Sequence, residues 1–438
     1  MALHSWSGPQ LPPEMYLKIF RCLTHEEKGS VRSTCRLFKQ LIDQPACWRD
    51  TTVILKGSVA YSPGFWEMLK KRRTCSVLVR KARANHLRKL LWSLPSLRAL
   101  AIDPISDAGI LDLLTEFRNV EKLVLKVDLN TPAKLFIVHH LNHLTHLTVC
   151  DLKRHCRENQ LLRGVSALTN LRSLTLHCDW GEPAVKLFRF VLFQLPSLRE
   201  LSVKVNPFYT ALQPDSFSPL TGEQCNRIGL PHSCVSRLQL EKLELLDCED
   251  IDLCEESLNQ LSSLRRLFVH FTCGERARHF SIDLDSVLRK LPHLTELRQK
   301  RGRLICKALP AHLESLSLNS VFMNPTVLKM LASAELKHLR LDHCTSNIES
   351  LNDFPQLFPH LKTLSIRCFH MTGNEFVHLA KLRYLEKLDI VDVSSVPSIT
   401  RQQLEELIRG FRITMDNRVQ IVQHPEPQER AACDCSAH

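Results

Sequence analysis

Leu361-Lys362-Thr363-Leu364-Ser365-Ile366 and Leu385-Glu386-Lys387-Leu388-Asp389-Ile390 share one rhythm, apolar-x-x-apolar-x-apolar. Toward the N-terminus it recurs at Leu336/Leu339/Leu341, Leu313/Leu316/Leu318, a worn Leu294/Leu297, Leu264/Leu267/Val269 and Leu240/Leu243/Leu245. Leu198/Leu201/Val203, Leu171/Leu174/Leu176, Leu144/Leu147/Val149, Val120/Leu123/Leu125 and Leu97/Leu100/Ile102 complete twelve copies, 19 to 30 residues apart except for one gap of 42 after Leu198. Alternation of this kind buries one face of a short strand, and the spacing leaves room for one return segment. A single such unit cannot bury its apolar face alone, so the period predicts stacked units sharing an elongated core.

Composition bounds what such a stack can do. The chain has 438 residues, is 44% hydrophobic, carries a formal charge of +12, and holds seventeen cysteines, no two of them three apart, which argues against a zinc site. Without an N-terminal apolar leader, a glycosylation sequon or an apolar run long enough for a bilayer, the expected compartment is reducing, cytosol or nucleus, with no membrane. Cys150, Cys178, Cys248, Cys273, Cys344 and Cys368 each follow a triplet and read as small buried turn residues.

The positive charge is concentrated. Lys70, Lys71, Arg72, Arg73, Arg80, Lys81, Arg83, Arg88 and Lys89 form one block, and Arg298, Lys300, Arg301, Arg303 and Lys307 another. Nucleic acid or a nuclear-import receptor reads such blocks, but neither carries interleaved aromatics, so a solvated face meeting acidic protein partners is the better expectation.

Residues 10–50 follow a different pattern. Pro12 and Pro13 suit a first helical turn, Glu14 suits its positive end, and Met15, Leu17, Ile19, Phe20 and Leu23 give an apolar side. Val31, Cys35, Phe38, Leu41 and Ile42 follow at the spacing of a second helix. About 40 residues make a poor independent core, so docking on a partner is expected.

With Leu11-Pro12, Glu14, Ile19-Phe20, Leu23, Cys35-Arg36, Phe38, Leu41 and Trp48-Arg49, this segment resembles an F-box. It departs at Glu27-Lys28-Gly29, where the family has an aspartate and leucines, and at Phe38, where it has tryptophan. The first departure implies weaker adaptor binding. Joined to leucine-rich repeats, the chain resembles the F-box/leucine-rich-repeat family, a likeness extended by Ile105-Ser106-Asp107-Ala108-Gly109-Ile110 and Met371-Thr372-Gly373-Asn374 in the return segments. The resemblance implies an α/β chain with a helical F-box at 10–50. A basic connecting segment and the start of the solenoid follow at 51–92, and about twelve repeats curve into a horseshoe over 93–399. A cap at 400–422 and a disordered tail at 423–438 complete it. It implies binding to the Skp adaptor, and through it a cullin and a RING subunit, using Leu11, Pro12, Ile19, Phe20, Leu23, Val31, Cys35, Phe38, Leu41 and Trp48.

In each repeat the residues between the leucines face outward. Phe268 is the sole aromatic in these slots, with Arg266, His270, Arg298, Lys300, Arg340 and Arg367 on nearby repeats. Aromatic and arginine anchors dominate many interfaces, so an acidic or phosphorylated target is expected there. The excess at about 205–235, rich in proline, reads as a loop thrown out from one turn. A helix from Ser398 to about Gly410, capped by Thr400, and a strand over Ile413 to Val422 are expected to close the stack.

No G-x-G, P-loop or H-E-x-x-H spacing occurs, so no catalytic, metal or cofactor site is expected. The resemblance implies a non-catalytic substrate receptor of a ubiquitin ligase; the alternative is a scaffold or inhibitor that uses the repeats outside any ligase.

Overall fold

The structure is a computed structural model. It describes residues 11–49, 51–105, 109–127, 135–152, 158–178, 182–204, 214–227, 238–248, 253–271, 281–283, 289–305, 312–323, 332, 335–342, 344, 351–367, 373–391 and 401–424. These fall into two compact units, one reaching Asn170 and the other beginning at Leu171.

The first unit opens with three helices, α1 (Pro13–Cys22), α2 (His25–Thr34) and α3 (Arg36–Ile42). Proline occupies the first turn of α1, and Thr24 and Glu27 close a reciprocal capping box on α2. The apolar spacing from Val31 to Ile42 predicts one helix, but the chain breaks at Cys35, whose backbone is extended. Ser33 and Thr34 donate their hydroxyls to the carbonyls of Ser30 and Val31 (2.7 and 2.8 Å), a competition that favours helix ends. The Cys35 thiol then caps α3 by accepting from the Phe38 amide.

Strands β1 (Val53–Lys56) and β2 (Ser76–Arg80) follow, so repeat geometry starts ahead of the first leucine triplet. Their return segments are α4 (Pro63–Lys71) and α5 (Ala84–Ser93). β3 (Ala99–Ile105), β4 (Lys122–Val127) and β5 (His146–Leu152) continue in parallel, with α6 (Gly109–Leu114) and α7 (Glu158–Ser166) among the returns.

In the second unit β6 (Ser173–Cys178), β7 (Glu200–Lys204), β8 (Lys242–Cys248) and β9 (Arg266–Phe271) stand in chain order. Three short strands outside that sheet, β10 (Ser281–Asp283), β12 (Arg303–Ile305) and β14 (Phe322–Met323), form a second parallel sheet. The main sheet goes on through β11 (Glu296–Lys300), β13 (Ser315–Asn319), β15 (His338–Asp342), β16 (Thr363–Arg367), β17 (Lys387–Val391) and β18 (Gln420–His424).

One register governs this sheet. Leu174, Leu201, Leu243, Leu267, Leu297, Leu316, Leu339, Leu364 and Leu388 each stand opposite the next, and all are buried. A one-residue slip would turn every leucine outward, so burial fixes the pairing. At the strand entrances two successive amides share one carbonyl of the previous repeat. Glu241 and Lys242 donate to Arg199 (2.7 and 3.0 Å), and Glu386 and Lys387 to Lys362 (2.8 and 3.0 Å).

The proline-rich excess is not simply thrown out. Its described part, 214–227, contains α9 (Gly222–Arg227) and a fully buried Phe217, and is tied to α8 (Glu182–Phe193) and α10 (Glu255–Gln260). The Arg189 guanidinium donates to the Ser218 carbonyl at 2.9 Å and pairs with Asp215, while Ser257 donates to the Pro214 carbonyl at 2.8 Å. The rest of 205–235 lies outside the described residues, as do Thr400 and 425–438.

At the C-terminal end the helix expected to stop near Gly410 runs over Arg401–Thr414. Leu404, Ile408, Phe411 and Met415 keep its apolar stripe buried past the glycine. It stops at Asp416 and Asn417, both at positive φ.

Among the turn cysteines, Cys248 is fully buried, and burial pushes its thiol far up. Cys344 is pushed up to about 11 by burial. Cys150 is buried, as its place in the repeat predicts, and is disulfide-bonded. Cys273 and Cys368 lie outside the described residues, as does the side chain of Cys178.

The worn repeat carries Gln299 where other strands bury Leu318, Leu341 or Ile366. Its amide donates to the Arg301 carbonyl at 3.0 Å, but its buried Oε1 has no hydrogen-bond partner among the described residues. A buried polar atom left unmet costs about 1–3 kcal/mol. Gln299→Leu is therefore expected to stabilise the second unit by about 1 kcal/mol; a lowered urea midpoint would contradict this.

Candidate interaction surfaces

The N-terminal helices build a small core from Phe20, Leu41, Ile42, Cys47 and Trp48, with Tyr16, Leu17, Leu23, Val31 and Phe38 packed around it. Phe38 meets Phe20 edge-on at 5.3 Å and Tyr16 at 5.1 Å. A phenylalanine thus suffices at this position because Tyr16 fills the space beside it.

This core sorts the ten residues expected to meet an adaptor. Leu11, Pro12, Ile19 and Cys35 are exposed, whereas Leu23, Val31 and Phe38 are partly covered. Phe20, Leu41 and Trp48 are buried, so any influence of theirs on a partner runs through packing. The structure adds Met15 and Leu37, exposed at 44% and 49%, beside Leu11 at 42% and Ile19 at 46%. Met15 and Ile19 are four residues apart on α1 and share one face. Helical spacing contains that signal for Met15; Leu37 is hidden from it, because the break at Cys35 resets the helical phase.

The Glu27-Lys28-Gly29 departure also acquires a role. Lys28 is buried, donates to the Thr51 hydroxyl at 3.3 Å and lies 5.7 Å from the Trp48 ring centre. Its aliphatic stem takes the place of an apolar side chain while its ammonium is met by a hydroxyl and a ring face.

Arg72, placed by sequence in a solvated basic block, is likewise buried. Its guanidinium stacks 3.7 Å from the Trp48 ring centre, and its Nε donates to Asp43 at 3.0 Å. Arg32 grips the same carboxylate at 2.9, 3.1 and 3.0 Å. The seam joins α3 and α4, tying the helical module to the first repeat.

Burial alone would raise the Asp43 carboxyl, but the hydrogen bonds from Arg32 and Arg72, with their charges, outweigh it and hold it below the usual range. Because the folded value is depressed, the stabilisation is complete above the unfolded value of about 3.9 and is lost as pH falls through the folded one.

In the second unit the outward slots of the sheet form rows. Along the middle row Glu244, Phe268, Arg298, Ser317, Arg340, Ser365 and Asp389 stand opposite one another on successive strands. Phe268 is buried here, covered by Arg298 at 4.4 Å and Lys242 at 5.0 Å from its ring centre. It is a platform for cations and not an exposed anchor.

Of the expected target residues, Arg298, Lys300 and Arg340 are exposed, and Arg266 and His270 are half-buried. Arg266 pairs with Glu200 at 2.9 Å. Arg367 is buried against Asp342 at 2.9 Å and is not part of the exposed surface.

His177, Ser202 and Glu244 form a hydrogen-bonded chain at 2.9 and 2.8 Å. The serine sits in the middle and donates to the carboxylate, so the imidazole must donate to it. That polarity does not generate a nucleophile. Among the described residues no group of three or more His, Cys, Asp or Glu is placed to hold a metal, and no helix is long and apolar enough to cross a membrane.

Residues 9–53 match the F-box-like family model. The parallel, leucine-registered strands that follow are a leucine-rich-repeat fold. The sequence has no match among curated proteins. Among solved structures the chain is similar to an internalin (inlF) from Listeria monocytogenes, at 12% identity and TM-score 0.38, covering 97% of this chain and 100% of that one. It is similar to TLR13, solved with ssRNA13, at 17% identity and TM-score 0.41, over 89% of this chain and 56% of that one. For Toll, solved with Spatzle and described in Drosophila development and innate immunity, the identity is 13% and the TM-score 0.41, over 85% and 54%.

Removing one partner of a buried ion pair strands the other charge, at a cost of about 3–5 kcal/mol. Asp43→Ala is expected to destabilise the N-terminal module by that order, read as earlier loss of tryptophan fluorescence in denaturant. In the unaltered protein the same transition is expected to stay level from neutral pH to about pH 5 and to weaken in acid. A level transition through strong acid would contradict the pairing.

Proposed function

We propose that this chain is a substrate receptor of a Skp-cullin-F-box ubiquitin ligase. The observation that carries the reading is the exposed set Leu11, Met15, Ile19 and Leu37 on a segment that matches an F-box-like model. F-box domains generally bind Skp adaptors, and four large apolar side chains exposed on so small a module mark a docking surface. Through the adaptor the chain joins a cullin and a RING subunit.

The repeats hold the target. Their exposed cations Arg298, Lys300 and Arg340, with Arg266 and His270 alongside, suit an acidic or phosphorylated protein. The receptor makes and breaks no bonds; it raises the local concentration of target near the charged conjugating enzyme, promoting ubiquitination and degradation. Such a role places it in cytosol or nucleus.

The Asp43–Arg72 seam is also what a ligase-independent scaffold would need, with the helical module acting as a cap on the first repeat. A cap, however, has no use for an exposed apolar face. Ile19→Glu alters that face without touching the module's core. It is expected to abolish co-purification of Skp adaptor and cullin while leaving thermal unfolding unchanged. Retention of both partners by this variant, or their absence from the unaltered protein, would favour the scaffold.

A further inference from the structure

The middle row of the second unit places Arg298 and Arg340 on either side of Ser317, each opposite it in the strand register. Two strand spacings separate the arginines, roughly 10 Å at the backbone. Their side chains are 54% and 48% exposed. The carboxylates of the neighbourhood lie lower, Glu296 at 19% and Asp342 at 1%. What an approaching group meets first is therefore two guanidinium groups and a hydroxyl.

Each arginine is held in place from below. Arg298 stacks on Phe268 and spends its Nε and Nη2 on Glu296, both at 2.7 Å, which leaves its Nη1 edge for a ligand. Arg340 approaches Asp342 at 3.6 Å, too far for a hydrogen bond, so charge restrains it while its fork stays available. Asp342 is itself fixed by Arg367 at 2.9 Å and by the Asn319 amide at 3.1 Å. Such preorganisation lowers the ordering cost of binding.

Two guanidinium groups and a hydroxyl approaching from different sides offer more donors than a two-oxygen carboxylate can accept. A phosphate monoester offers three oxygens and a charge near −2, and arginine forks match it. We infer that Arg298, Ser317 and Arg340 form a pocket for a phosphorylated serine or threonine of the bound protein. The inference rests on the receptor reading for its biological meaning, but the pocket is testable alone.

The test uses the full chain and three fluorescent degenerate nonapeptide libraries, with central phosphoserine, serine or glutamate. Anisotropy is expected to show the phosphoserine library binding at least about ten-fold tighter than either other, a difference of about 1.4 kcal/mol. Arg298→Ala and Arg340→Gln should each remove that preference. Arg340→Gln is the safer variant for folding, since the side chain is exposed and makes no hydrogen bond to Asp342. Ser317→Ala should weaken phosphoserine binding by a few-fold.

Equal binding of the three libraries, no binding of any, or a phosphate preference that survives in Arg340→Gln would overturn the pocket. Adaptor capture by the same preparation is read separately. If it persists, the receptor reading stands without the pocket; if phosphate-selective binding persists and adaptor capture fails, the pocket stands without the receptor.

Discussion

In each repeat one leucine must stand opposite the leucine of the next, because only that register keeps its side chain out of water. In the second unit this runs unbroken from Leu174 to Leu388. The requirement fixes which residues share each outward row, since neighbouring positions on a strand point to opposite faces. Phe268, Arg298, Ser317 and Arg340 come from four separate repeats, yet they are aligned because the leucines one residue earlier are aligned. The surface chemistry is thus indexed by the core.

The N-terminal module obeys a different constraint. Its buried residues are few, and polar groups complete it: Lys28 lies under one side of Trp48, and Arg72 stacks on the ring while gripping Asp43. Burying these charges carries a desolvation cost that their mutual pairing must offset. Arg72 comes from the first repeat, so the module and that repeat share a structural element.

Much of this was legible in the sequence. The leucine period announces parallel strands in register, and Leu11-Pro12 and Trp48-Arg49 announce the helical module. Periodicity alone does not reveal the break at Cys35, because the spacing of Val31, Cys35 and Phe38 continues across it while the hydroxyls of Ser33 and Thr34 stop the helix. The first two repeats escape the triplet because the slot filled by Leu97 in the third holds Asp50 ahead of β1 and Thr74 ahead of β2, although both strands carry the same alternation as the later ones. Alternation puts Phe268 and Arg367 in the outward slots, yet their burial depends on neighbours many residues away, such as Lys242 and Asp342. Partner lists of that kind are not written in local spacing.

Lys70-Lys71-Arg72-Arg73 has the composition of a peptide address, the sort a transport receptor grips as an extended strand. In the native protein that grip is denied: Lys70 and Lys71 are the last turn of α4, and Arg72 is clamped between an indole and a carboxylate. Folding therefore converts a linear basic motif into a joint between the helical module and the first repeat.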